Sequence, residues 1–215
     1  MLMLMVSHSL VSGLMVASAA PPENPIAAAA KSALESLRAG GVTRLDSPDR
    51  VIALSAESQV LSQAVAVISD RTLVSFDVLA REIAAKVAVD KQDLLTAWGA
   101  TDQRRLQVIF TALAQVGTPY RFGGNMPGGF DCSGLTSFAW ASVGIRIPRI
   151  STDQIDQALP RELVQLRAGD LLWRPGHIGM SIGVPEIMVN VTQTGRPVEV
   201  KRWGKLVRTG TPIND

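Results

Sequence analysis

The sequence predicts an α+β protein, and three observations carry that reading. The first half is rich in alanine, with apolar residues at helical spacing; the texture turns to glycine and proline at residue 117; and beyond it a helix candidate is followed by short alternating apolar segments. With 215 residues, 47% of them apolar and 19% charged, the chain is long enough for a buried core and too apolar for global disorder. A net charge of +2 tolerates an anionic surface such as a cell wall without requiring one. No basic stripe is interleaved with aromatics, and Tyr120 is the single tyrosine, so no nucleic-acid partner is expected.

The opening "MLMLMVSHSLVSGLMVASAAPPENP" carries no charged side chain before Glu23 and ends its apolar run at Ala17-Ser18-Ala19, a small-x-small pattern before a proline-rich stretch. Residues 1–20 therefore read as an export signal, although a positive n-region is missing and Ser7, His8 and Ser9 interrupt the apolar core. The alternatives are a misassigned start or a retained apolar helix. No later segment is apolar enough to span a bilayer. A secreted, cell-wall or periplasmic location follows as an expectation, with no stable membrane span after cleavage.

Residues 25–39 read as a helix stopped by Gly40-Gly41, and "GVTRLDSPDR" as a loop. A second helix is expected over 55–69, and a third around Ser75, Val78, Leu79, Ile83 and Val87. Asp90 caps a fourth that reaches Trp98, and Asp102 a fifth over 103–116. Residues 21–100 thus form a helical region whose role stays open between inhibitory module, wall binder and spacer. The segment "GTPYRFGGNMPGGF" is a constrained loop, and residues 133–143 form a helix beginning just after Cys132. "IPRISTDQ" leads into a short helix. Segments 169–173, 177–184 and 186–193 read as successive antiparallel strands joined at Pro175-Gly176 and Val184-Pro185, and "PVEVKRW" as a further strand.

The chemistry centres on the single cysteine, Cys132. In an exported chain it has no intramolecular disulfide partner, so it is either a buried bystander or a reactive thiol. A cysteine at a helix N-terminus meets the positive end of the helix dipole and free N–H groups, which favour thiolate. Of the two histidines, His8 lies in the export signal, leaving His177 as the one imidazole of the mature chain. Placed beside the thiol, it would exchange the proton of a Cys–His pair. A third polar group must orient that ring. Met188, Asn190 and Thr192 alternate onto one face of the next strand, making Asn190 the first choice and Gln193 the fallback.

Taken in order, "GTPYRFGG", "DCSG" with its helix, "PR-S--Q", "GDL" and "H-G" resemble the NlpC/P60 family of papain-like peptidoglycan hydrolases, over about residues 103–205. The resemblance implies a papain-like domain at 101–215, with the cysteine helix packed on a small antiparallel sheet. It makes Cys132 the nucleophile, His177 the base and Asn190 the third polar residue, with no metal or organic cofactor. Tyr120 matches a tyrosine that helps hold the oxyanion, and Asp131 and Ser133 match positions that help bind the free amino group of a stem peptide. The implied activity is a cysteine peptidase cutting peptidoglycan stem peptides at the γ-D-glutamyl–diaminopimelate bond. An N-acetylmuramoyl-L-alanine amidase using the same site, or a silent wall-binding protein, are its rivals. Asp131 also reads as a helix cap, Arg149 and Gln154 as loop fasteners and Trp140 as core, while Arg196, Lys201, Arg202, Lys205 and Arg208 read as a solvated basic surface, with a holder of anionic wall polymer as the alternative.

Overall fold

The computed structural model describes residues 22–39, 73–205 and 208–214. The export signal and the helix expected over 55–69 lie outside the described residues. Helix α1 (Pro25–Ala39) buries Ile26, Ala30, Ala33, Leu34 and Leu37 along one stripe and lays it against α4 (Gln103–Leu113). Alanines on that stripe let the helices approach closely. Helix α2 spans 73–87 and buries Leu79, Ala80 and Ile83. Asp90 caps α3 (Lys91–Gly99) by accepting from the Gln92 N–H at 2.8 Å, and Asp102 caps α4 by accepting from the Arg105 N–H at 3.0 Å. Both caps stand where the sequence places them.

These helices share one apolar core with the rest of the molecule. Phe76, Trp98 and Phe110 meet edge to face, joining α2, α3 and α4. The buried Trp98 indole donates to the Ile182 carbonyl at 2.8 Å, tying α3 to the end of a strand. Packing is continuous across residue 100.

Beyond α4 come the hairpin β1 (Asn125–Met126) and β2 (Gly129–Phe130), then α5 (Cys132–Ala141), α6 (Ser151–Gln157), β3 (Leu159–Pro160) and a short 3-10 turn at Leu163–Gln165. Strands β4 (Leu171–Arg174), β5 (His177–Ser181), β6 (Ile187–Asn190), β7 (Glu199–Arg202) and β8 (Arg208–Thr211) complete a six-stranded antiparallel sheet in the order β3-β8-β4-β5-β6-β7. Helix α5 packs on β5, α4 and the small hairpin. The architecture is the α+β arrangement expected. Its strands are shorter than the apolar runs that announced them, because Gly183 and Glu186 take positive φ at the β5–β6 turn and end the ladder early. Helix α5 also begins at Cys132, one residue before the expected start, so the cysteine occupies the first helical position.

One buried ion pair joins the layers. Arg105 of α4 and Asp170 at the start of β4 are both fully buried and meet at 2.8 Å. The same guanidinium donates to the Ala168 carbonyl and to the Thr211 hydroxyl, and it lies over the Trp140 ring at 6.0 Å. Asp170 accepts from the Arg167 N–H at 2.8 Å with its other oxygen. Removing one partner strands a charge in a dry environment. Asp170→Ala is expected to destabilise the fold by about 3–5 kcal/mol. Arg196→Ala, which breaks an exposed pair with Glu199, should cost under about 1 kcal/mol. Urea denaturation midpoints compare the two directly.

Candidate active site

The position of Cys132 is built by Asp131. Its carboxylate accepts from the Gly134 N–H at 2.7 Å, capping α5, and from the Gly123 N–H at 2.9 Å, fixing the glycine-rich loop. Arg149 closes the arrangement with two contacts to the same carboxylate, at 2.9 and 2.6 Å, and one to the Ser133 hydroxyl at 3.0 Å. Burial raises the Asp131 pKa, but the Arg149 guanidinium and the two backbone donors outweigh it and hold the carboxyl below its usual value. Arg149 and Gln154 fasten the loop, as expected. Gln154 donates to the Pro148 and Ser133 carbonyls at 2.7 and 2.9 Å. Trp140 is core, its indole donating to the Gly169 carbonyl.

The glycine of "DCSG" has a steric cause. A Cβ on Gly134 would stand 2.0 Å from the Gly124 carbonyl oxygen, a backbone atom that cannot swing away. This close approach presses the first turn of α5 onto the loop, where the Asp131 N–H donates to the Gly124 carbonyl. Cys132 is left half-buried and free of disulfide bonding. Tyr120, half-buried on the same loop, lies close enough for the charges of Asp131 and Cys132 to act on it. Burial first, then those two negative charges, raise its pKa, so the phenol keeps its proton and remains a donor.

His177 opens β5 directly after the Pro175-Gly176 turn, where Gly176 takes φ 76° and Arg174 pairs with His177 across the hairpin. The short link noted in the sequence thus seats a guanidinium beside the imidazole. His177 is largely buried, and its pKa falls from 6.5 to about 4. Desolvation is the main cause, the positive charges of Arg174 and Lys201 add to it, and Asn190 opposes it. The imidazole is therefore neutral at physiological pH and able to take a proton.

Asn190 lies fully buried on β6. The β5–β6 register continues to set it across from Gly179, on the face that carries His177 two residues away. A Cβ on Gly179 would come within 3.0 Å of the Asn190 Cβ, so glycine there makes the room that asparagine occupies. Asn190 stands near enough to favour the charged imidazole. Even so, among the described residues neither its amide atoms nor His177 Nε2 has a partner of good hydrogen-bond geometry. Buried polar atoms without partners are costly in a passive core and concentrate at functional sites. Gln193 falls in the exposed loop after β6, away from this face. Sequence reasoning missed Arg174, for which the tight turn before His177 was the one signal, and it marked Lys201 only as part of the basic ending, not as a neighbour of His177.

The model of the NlpC/P60 family matches residues 117–205, which contain every one of these side chains. Residues 117–205 belong to the NlpC/P60 family. Over 99 residues the chain is 41% identical to a Mycobacterium tuberculosis protein named "Probable endopeptidase", covering 45% of this chain and 26% of that one. It is 34% identical over 119 residues to the Escherichia coli murein DD-endopeptidase MepH, covering 50% and 44% of the two chains. A solved P60 domain from a Mycobacterium avium subspecies paratuberculosis antigen is 28% identical, with a TM-score of 0.49, over 53% of this chain and 97% of that one. The chain spans less than half the length of these two curated relatives.

Two outcomes follow from the geometry. Asp131→Ala removes the α5 cap and the partner of Arg149, and thermal unfolding should register a loss of roughly 1–2 kcal/mol. The His177 ring, followed by NMR and identified by its loss in His177→Asn, should titrate near pH 4. Two nearby positive charges disfavour imidazolium, so Arg174→Gln/Lys201→Gln must move that midpoint upward. An unchanged midpoint would show that burial alone sets it.

Proposed function

We propose that this protein is an exported cysteine peptidase of the bacterial cell wall, cutting peptidoglycan stem peptides. The observation that carries this reading is the half-exposed Cys132 at the first position of α5, on a helix packed against the strand that begins with a neutral, buried His177. The family match and the names of the endopeptidase relatives support it. The Cys132 thiol gives its proton to His177, and the sulfur attacks the scissile carbonyl. The first-turn N–H of Cys132, which has no intrahelical acceptor, and the protonated Tyr120 hydroxyl hold the tetrahedral oxyanion. The imidazolium then gives its proton to the departing amine, and water hydrolyses the thioester with His177 as base. Asn190 orients the ring. Export rests on the character of residues 1–20.

The bond proposed is γ-D-glutamyl–diaminopimelate. Asp131 and Ser133 are the proposed contacts for the amino group of the stem peptide. Since five donors already crowd the Asp131 carboxylate, that ammonium must share it with Arg149. The E. coli relative is named for a different, DD bond, so the test must identify the product. Purified full-length protein is incubated with sacculi and the released fragments are read by mass spectrometry. Fragments ending in D-glutamate are expected; D-alanine-terminated or intact stem-peptide products would reassign the bond to a DD-endopeptidase or an amidase. Cys132→Ala should lower release by about a thousand-fold or more, and undiminished release would end the cysteine mechanism.

A further inference from the structure

Beside His177 the sheet opens into a pocket of about 270 Å³ whose walls differ in chemistry. Its floor is apolar, formed by the buried Leu172 and Met188, and the Trp203 indole lines one side. Its polar lining is cationic: Arg174, Lys201 and Lys205 stand around it, and no carboxylate belongs to the lining. Lys201 is shared with Glu199 at 3.3 Å. Among the described residues, Arg174 and Lys205 make no ion pair. The other basic side chains of this ending are engaged, Arg196 with Glu199, Arg202 with Glu186 and Arg208 with Asp156. The two unpaired cations of the region therefore converge on one concavity next to the imidazole.

Its position fixes which part of a substrate it meets. In acyl transfer by a Cys–His pair, the imidazole donates to the leaving amine, so the residue released lies on the histidine side. We propose that this pocket receives a carboxylate of the released peptide fragment, held by Arg174 and Lys205 while the aliphatic stem of the same residue lies over Leu172 and Met188. This assignment rests on the peptidase reading above and adds the preference of its leaving side: an amino acid with a free carboxylate on a hydrocarbon stem. Diaminopimelate has that chemistry.

Binding and turnover separate the two ideas. The full-length Cys132→Ala protein is titrated calorimetrically with L-alanyl-γ-D-glutamyl-diaminopimelate, its two diaminopimelate carboxylates either free or both amidated. The free acid should bind about five-fold more tightly, the order expected of a partly exposed ion pair. In an Arg174→Gln/Lys205→Gln background that difference should vanish; both positions are exposed, so the fold survives the change. Equal affinities in the parent, a difference that survives the double substitution, or no binding of either peptide each overturns the pocket. A carboxylate-dependent difference in binding, with neither peptide hydrolysed by the protein that keeps Cys132, upholds the pocket and defeats the peptidase reading instead.

Discussion

The carboxylate of Asp131 is the constraint on which the rest of the site depends. It terminates α5, holds the glycine loop through Gly123 and anchors Arg149, all from one largely buried side chain. Each contact alone is worth about a kilocalorie per mole. Their value lies in being shared. The helix cap sets where the first turn begins, and so where the thiol stands. The loop contact brings Tyr120 to that same turn. Without the closeness that Gly134 permits, the loop and the first turn of the helix would part.

His177 is arranged by opposite means. His177 is desolvated and flanked by Arg174 and Lys201, and these outweigh Asn190, which favours the charged ring. The free protein therefore stores the site proton away from the imidazole, and an arriving anion is what relieves the penalty. Polarity across the site follows. Asp131 lies beside Cys132 and the cationic pocket beside His177, so on the proposed reading a peptide with an amine at one end and a carboxylate at the other has one favoured direction.

Much of this was legible in the sequence, for identifiable reasons. Asp90, Asp102 and Asp131 each stand one residue before a helical run, and a side-chain cap is a local interaction that needs no knowledge of the fold. Pro175-Gly176 announced the hairpin, and side-chain alternation selected Asn190 over Gln193. The losses were non-local. Strand β8 reads "RTGT", with no apolar alternation, because it is recruited to the sheet by pairing with β3 and β4 rather than by its own pattern. The two-residue strands are too short to carry a period. Arg105 has partners 65 and 106 positions away, and no spacing rule reaches so far.

That ion pair also defines how large the working unit is. The family segment, residues 117–205, contains Asp170 but neither Arg105 nor Thr211, which surround the same guanidinium site. It contains the Ile182 carbonyl but not the Trp98 indole that donates to it. In isolation the segment would leave the buried Asp170 carboxylate with Arg161 at 3.6 Å but without its closer partner Arg105, and a strand end without its indole, each a penalty of the kind that marginal folds do not tolerate. The helices before residue 117 are therefore not a passenger on the family segment. Through α3 and α4 they supply the charge and the apolar surface that the sheet lacks, and the sheet in turn holds His177 where α5 can meet it. Whatever else the N-terminal helices do, their packing is part of what makes the site rigid.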